Sequence, residues 1–148
     1  MEDKSLDVTS EIKPKRILLV DDDPVYSTII DRVAKQEGLS LDWFQSLEDL
    51  GSVGAIGKYD GAIIDINLGV SCVNGIEIAD YIDALDFQLP VIIVSESDLD
   101  KKRALPSCVR KFLPKSIGYQ AVVWEVQKHT AHYKGNLSKY LTKNPLIS

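Results

Sequence analysis

Four short apolar runs and one alternating run mark the predicted strands of this chain. The four apolar runs are rich in isoleucine and valine and almost continuous, which is typical of parallel strands buried on both faces. The alternating run, LSLDWF at residues 39 to 44, is predicted to be an edge strand. The continuous runs are RILLV at 16 to 20, DGAIIDI at 60 to 66, PVIIV at 90 to 94 and VRKFLP at 109 to 114.

Helical stretches separate these runs. The first begins at Asp23-Pro24, an N-cap residue followed by proline, and ends near Gly38. The last has Val122 and Val126 on its inward face, with Trp124 as a further candidate. The other helices are predicted at residues 46 to 58 (weak, with three glycines), from near Gly75, at 97 to 105, and at 116 to 133 for the last.

Strands that alternate with helices predict an α/β domain with a five-stranded parallel sheet and five helices, doubly wound by right-handed crossovers. The length of 148 residues suits a single domain. Residues 1–15 are polar, lack the apolar core of a secretion signal and are predicted to be a tail. The domain is expected to span residues 16–134. Residues 135–148 are expected to be a C-terminal tail or the start of a linker, which leaves open whether the chain is full length or a fragment.

Composition and charge exclude several classes of protein. The net charge of -5 argues against direct nucleic acid binding, because phosphate backbones require a surplus of lysine and arginine. No apolar run reaches the roughly 18 residues of a membrane span. The two cysteines, Cys72 and Cys108, are too few for a disulfide framework and fit a reducing compartment, so a cytoplasmic location is expected.

Polar residues stand at the carboxyl ends of the predicted strands. Because parallel strands end at one edge of a sheet, these side chains are expected to converge in one crevice. Repulsion between the carboxylates makes sense if a divalent cation binds there, and oxygen ligands favour Mg²⁺ or, in its place, Mn²⁺. A metal, a lysine and a hydroxyl around a carboxylate are suited to phosphoryl transfer, with the carboxylate as nucleophile. The residues are Asp21, Asp22, Asp65, Ser95 and Lys115.

The segments ILLVDDDP, YDGAIIDINL, PVIIVS and FLPKS, in this order, resemble the receiver domain of two-component response regulators. The resemblance covers about residues 16 to 134. It implies a flavodoxin-like sheet with strand order 2-1-3-4-5. It also implies a phosphorelay signalling module rather than an enzyme, since such a domain catalyses only its own phosphorylation and dephosphorylation.

The resemblance implies a role for each residue at the sheet edge. Asp65 would accept a phosphoryl group from a sensor histidine kinase or a phosphotransfer protein. Ser95 and Lys115 would bind that group, and Ser95 and Phe112 would move together as a switch. The metal ligands would be Asp21, Asp22, Asp65 and the backbone carbonyl of Asn67.

Three departures from the family pattern surround the site. Glu96 follows Ser95 where the family has a small residue, and it is expected to modulate phosphorylation. The Asn74-Gly75 pair falls two residues late after Asp65, which lengthens that loop. The distance from Ser95 to Lys115 is two residues shorter than is common, so the family's usual dimer contacts are not carried over.

Two rival functions remain open. One is a pseudo-receiver, the same fold acting as a phosphorylation-independent interaction domain. The other is a phosphatase with an aspartyl nucleophile, although VDDDPV lacks the final hydroxyl of the haloacid dehalogenase motif. The output partner or effector domain, the pathway and a homodimer also stay undetermined, and no membrane partner is expected.

Overall fold

The computed structural model describes residues 13–69, 73–96 and 104–131, and five parallel strands form its sheet. The strand order is β2-β1-β3-β4-β5, so β2 lies at an edge as its alternating pattern predicts. The predicted doubly wound fold is confirmed. The strands are β1 (Arg16–Val20), β2 (Ser40–Phe44), β3 (Gly61–Asp65), β4 (Val91–Ser95) and β5 (Val109–Pro114).

Helices cover both faces of the sheet. Within the described ranges, none is long and apolar enough to cross a membrane. Most of the helix predicted at 97 to 105 lies outside the described residues, as do most of the predicted tails. The α-helices are α1 (Pro24–Gln36), α2 (Leu47–Leu50), α3 (Gly75–Ala84) and α4 (Tyr119–Thr130), with 3₁₀ helices at Val53–Lys58 and Lys115–Ile117.

The weak helix predicted at residues 46 to 58 is in fact two short pieces. Gly51 ends the first piece with a φ of 94°, a conformation that glycine adopts far more readily than other residues. Ser46 and Ser52 each cap one piece by accepting a backbone N–H. The glycines and the second capping serine therefore break the helix.

Two layers of apolar side chains sandwich the sheet. Leu18 and Ile64 point into the layer beneath α3, whereas Ile17 and Ile63 point into the layer beneath α1 and α4. This burial on both faces is the physical reason for the continuous apolar runs. The candidate inward orientation of Trp124 is wrong, because its side chain is 56% exposed.

Candidate functional site at the carboxyl edge of the sheet

The three consecutive aspartates after β1 have three different environments. Asp21 is fully buried, and its Oδ1 accepts the backbone N–H of Asp23 at 2.9 Å. Asp22 is exposed. Asp23 is the N-cap of α1, with its Oδ1 accepting from Val25 N at 3.0 Å and Tyr26 N at 3.3 Å. Asp23 therefore stabilises the helix, whereas Asp21 and Asp22 cluster with Asp65.

The edge strand β2 holds the backbone of Asp21 in place. Asp21 N donates to Phe44 O at 3.0 Å, and the indole Nε1 of Trp43 donates to Asp21 O at 2.7 Å. The chain therefore leaves β1 with its peptide groups paired while the carboxylate points toward the site.

Lys115 bridges the buried carboxylates. Its Nζ lies 3.1 Å from Asp65 Oδ2 and donates a hydrogen bond there. The same atom lies 2.9 Å from Asp21 Oδ2, in a buried ion pair. Glu96 Oε1 lies 3.8 Å away on an exposed side chain. One ammonium group thus offsets the repulsion between two carboxylates that have little access to water.

Four of the five side chains predicted at the strand ends, Asp22, Asp65, Ser95 and Lys115, line one cleft of about 470 Å³. The fifth, Asp21, is buried and joins them through its ion pair with Lys115. Ser95 is buried at its wall and Glu96 stands at its rim, 78% exposed. Asn67 lines the cleft, and its backbone N–H donates to Asp65 Oδ1 at 3.2 Å. Phe112 does not line it. Its ring packs, partly buried, against the core beneath α3.

The carboxylates fit a hard divalent cation. Asp21, Asp22 and Asp65 each offer one oxygen, and these three oxygens lie within 4.8 Å of one another. Oxygen donors of this kind are those that Mg²⁺ and Mn²⁺ prefer. Gly69 lies against Asp22 with a φ of 63°, and a Cβ there would collide with Asp22 Oδ2. The glycine therefore leaves room for this carboxylate at its position beside the cleft.

The late position of Gly75 has a structural explanation. Its backbone N–H donates to Ile66 O at 3.0 Å, and a Cβ on Gly75 would overlap the backbone carbonyl of Asp65. Asn74 and Glu77 form a reciprocal capping box at the start of α3. The helix therefore begins directly against the end of β3, despite the longer loop before it.

Tyr26 is a site neighbour that the sequence reasoning missed. Its ring centroid lies 4.2 Å from Lys115 Nζ, and its side chain is buried. The ring also contacts the ring of Tyr119, with the centroids 5.4 Å apart. The sequence indicates only that Tyr26 lies in the first turn of the helix after the aspartates. An aromatic residue at that position is equally typical of core packing.

Burial dominates the electrostatics of this cluster. It raises the pKa of Asp65 to about 6, with the charge of Asp21 adding to the rise and Lys115 opposing it. Burial likewise raises the pKa of Asp21 despite its pairing with Lys115. For Lys115, burial lowers the pKa, but the two carboxylates outweigh it and the net pKa is raised. The lysine therefore stays charged at neutral pH. Ionising both Asp21 and Asp65 costs more free energy here than it would in water.

The raised pKa of Asp65 predicts that its contribution to the free energy of unfolding falls as pH rises. Between the unfolded pKa of about 4 and the folded pKa of about 6, the folded protein keeps a proton on Asp65 that the unfolded chain has lost. Asp65→Asn should therefore be more stable than wild type at pH 7, by about 2 kcal/mol, with a smaller gain at pH 5. Urea unfolding in EDTA at both pH values measures this. Asp49→Asn serves as the exposed control, and an equal effect of Asp65→Asn at the two pH values would refute the account.

Comparisons with known proteins agree with the architecture. A family model described as "Response regulator receiver domain" matches residues 17–127. The chain is similar to the response regulator TrrA from Thermotoga maritima, solved in complex with Mg²⁺-BeF, at 24% identity and a TM-score of 0.67, covering 77% of this chain and 97% of that one. No curated protein matches the sequence.

Two further solved structures have the same fold. A CheY-like receiver domain protein from Methanospirillum hungatei is 18% identical with a TM-score of 0.70, covering 82% of this chain and 98% of that one. The receiver domain of a Francisella response regulator is 21% identical with a TM-score of 0.69, covering 81% of this chain and 99% of that one. The family match spans well over half of the sequence and ends on the helix that packs behind the site. The chain is therefore a member of the response regulator receiver domain family.

Proposed function

We propose that this protein is a phosphorylatable receiver whose Asp65 accepts a phosphoryl group and thereby switches a partner-binding surface. The donor would be a sensor histidine kinase or a phosphotransfer protein, and the cytoplasm is the expected location. The observation that carries the proposal is the hydrogen bond of 3.1 Å from Lys115 Nζ to Asp65 Oδ2, inside a cleft with two further carboxylates. The ammonium group of Lys115 is already in place beside Asp65, where it can offset the negative charge that a phosphoryl group adds.

The residues of the cleft divide the work of the transfer. A carboxylate oxygen of Asp65 attacks phosphorus, the bond from phosphorus to the donor nitrogen breaks, and the donor histidine leaves with that electron pair. Lys115 compensates negative charge on the phosphoryl oxygens, and the hydroxyl of Ser95 donates to one of them. Asn67 N orients Asp65 through its hydrogen bond of 3.2 Å.

A metal is part of the proposal. Asp21, Asp22, Asp65 and the backbone carbonyl of Asn67 would hold Mg²⁺ or Mn²⁺. When bound, the cation supplies charge neutralisation for the carboxylates and the phosphoryl oxygens. The solved structure of TrrA, a relative with the same fold, holds Mg²⁺ with BeF, which supports this ligand chemistry here.

A titration with Mg²⁺ and then with beryllofluoride, a mimic of the phosphoryl group, tests the proposal. Wild type should bind Mg²⁺ and then beryllofluoride, with NMR shifts that spread from the cleft to β5 and α4. Asp65→Asn should lose the beryllofluoride response, whereas Asp49→Asn, an exposed carboxylate on α2, should keep it. Failure of wild type to bind either ligand would favour the pseudo-receiver, in which the same fold binds a partner without phosphorylation.

Glu96 is expected to slow the chemistry at Asp65. Its carboxylate lies 3.8 Å from Lys115 Nζ at the rim of the cleft, where it repels an incoming phosphate and competes for the ammonium. Because Glu96 is mostly exposed, the effect is expected to be modest: Glu96→Gln should speed phosphorylation by a small-molecule phosphodonor about threefold. The gain should shrink at high salt, since screening weakens exposed charges. If Glu96→Gln changes neither the phosphorylation rate nor the dephosphorylation rate, Glu96 does not modulate the chemistry at Asp65.

A further inference from the structure

The ammonium group of Lys115 lies over the ring of Tyr26, a residue that has no role in the proposed function. The Tyr26 ring centroid lies 4.2 Å from Lys115 Nζ, well inside the range of about 6 Å for attraction between a cation and a ring face. Tyr26 is 5% exposed and the Lys115 side chain 7% exposed. Water therefore competes little for the ammonium group. The cation–π attraction is stronger at such a desolvated site than at an exposed one.

Phosphorylation of Asp65 would change the distribution of negative charge around Lys115. In the observed arrangement the ammonium lies between Asp21 and Asp65, at 2.9 and 3.1 Å. A phosphoryl group on Asp65 consumes one carboxylate oxygen and places new anionic oxygens farther out in the cleft. A carboxylate binds the ammonium at a fixed oxygen, whereas a ring face attracts it over a broad area. Lys115 can therefore shift toward the phosphoryl group and stay in contact with Tyr26.

We propose that Tyr26 is a positioning residue whose ring face holds the Lys115 ammonium as it passes from the carboxylates to the phosphoryl group. The inference rests on the proposed function of Asp65 and adds a residue that acts through Lys115. Tyr119, at the start of α4, packs against the Tyr26 ring with the centroids 5.4 Å apart. This contact fixes the ring from the side of the helix.

The role belongs to the ring and not to the hydroxyl group. The phenol oxygen of Tyr26 is buried and has no hydrogen-bond partner among the described residues. Removing an unpaired buried hydroxyl does not sacrifice a hydrogen bond, so Tyr26→Phe should fold at least as stably as wild type. Phenylalanine keeps the ring face, whereas leucine fills much of the space without it. The two substitutions therefore separate positioning of the lysine from packing.

The test measures beryllofluoride affinity at saturating Mg²⁺, and Mg²⁺ affinity alone, for wild type, Tyr26→Phe and Tyr26→Leu. Tyr26→Leu should bind beryllofluoride about tenfold more weakly, and Tyr26→Phe within about twofold of wild type. Both variants should bind Mg²⁺ as wild type does. In NMR spectra without ligands, the ε-methylene protons of Lys115 should show an upfield ring-current shift in wild type and Tyr26→Phe, and lose it in Tyr26→Leu.

Several results would overturn the inference. Wild-type beryllofluoride affinity in Tyr26→Leu would show that the ring is dispensable, and an equal loss in Tyr26→Phe would assign the effect to the hydroxyl. A parallel loss of Mg²⁺ affinity in Tyr26→Leu would mean that Tyr26 has a structural role. Absence of the ring-current shift in wild type would show that Lys115 does not lie over the Tyr26 ring in solution. If wild type itself fails to bind beryllofluoride, the proposed function fails and the role of Tyr26 fails with it. The other results overturn the role of Tyr26 alone.

Discussion

Lys115→Met should destabilise the metal-free protein by about 3 kcal/mol at pH 7, because it leaves two buried carboxylates without their cation. Asp21 is fully buried and Asp65 is 5% exposed, so neither carboxylate has enough contact with water to compensate for the lost ammonium group. Methionine fills nearly the same space, which limits the loss of packing. Urea unfolding in EDTA measures the difference. Added Mg²⁺ should restore part of the stability, since a cation bound only to the folded state stabilises it.

The control for this substitution is Lys35→Met on α1. Lys35 pairs with Asp31 at 3.0 Å on the surface, with its side chain 65% exposed. An exposed pair of this kind contributes less than about 1 kcal/mol. A loss in Lys115→Met no greater than that in Lys35→Met would show that the buried carboxylates do not depend on the lysine.

Gly75→Ala should cost about 3 kcal/mol of stability, because its Cβ would overlap the backbone of Asp65 and Ile66. A backbone carbonyl cannot rotate away as a flexible side chain can, so either α3 or the end of β3 must move. The movement also displaces Asp65, and Mg²⁺ affinity should fall together with stability. Chemical denaturation and a Mg²⁺ titration of the same variant measure both effects.

Gly38→Ala is the matched control for Gly75→Ala. Gly38 has a φ of 80° but open space around its Cβ position, so its substitution adds only backbone strain of about 1 kcal/mol. Gly38 follows α1 at the far end from the aspartates, and Mg²⁺ affinity should therefore stay unchanged. Equal losses in the two variants would mean that the contact between α3 and β3 is not tight.

The sheet and the meeting of residues at its edge could be predicted because each depends on one local rule. Strands buried on both faces require continuous apolar runs, and parallel strands bring their carboxyl ends together. The polar residues at the ends of these runs were therefore expected at one site. Asp65, Ser95 and Lys115 line the cleft in the structure, and Asp21 is paired with Lys115 beside them. Their individual roles in catalysis and switching stay predictions.

The remaining features depend on contacts between distant parts of the chain. Tyr26 meets Lys115 across the interface of α1 and the end of β5, and no local pattern announces this pairing. Trp124 looks like a core residue by composition, yet it occupies the exposed face of α4. Gly75 seemed misplaced when counted along the loop, whereas its fit against Asp65 is visible only when the helix is in place.

The most direct test of the central claim is the mass of the intact protein after incubation with acetyl phosphate, a small phosphodonor, and Mg²⁺. Wild type should gain one phosphoryl group, lose it on treatment with hydroxylamine as acyl phosphates do, and gain none in EDTA. Asp65→Asn should gain none under any condition, whereas Asp49→Asn should behave as wild type. A wild type that stays unmodified, or an Asp65→Asn variant that is labelled as fully as wild type, would contradict phosphorylation at Asp65.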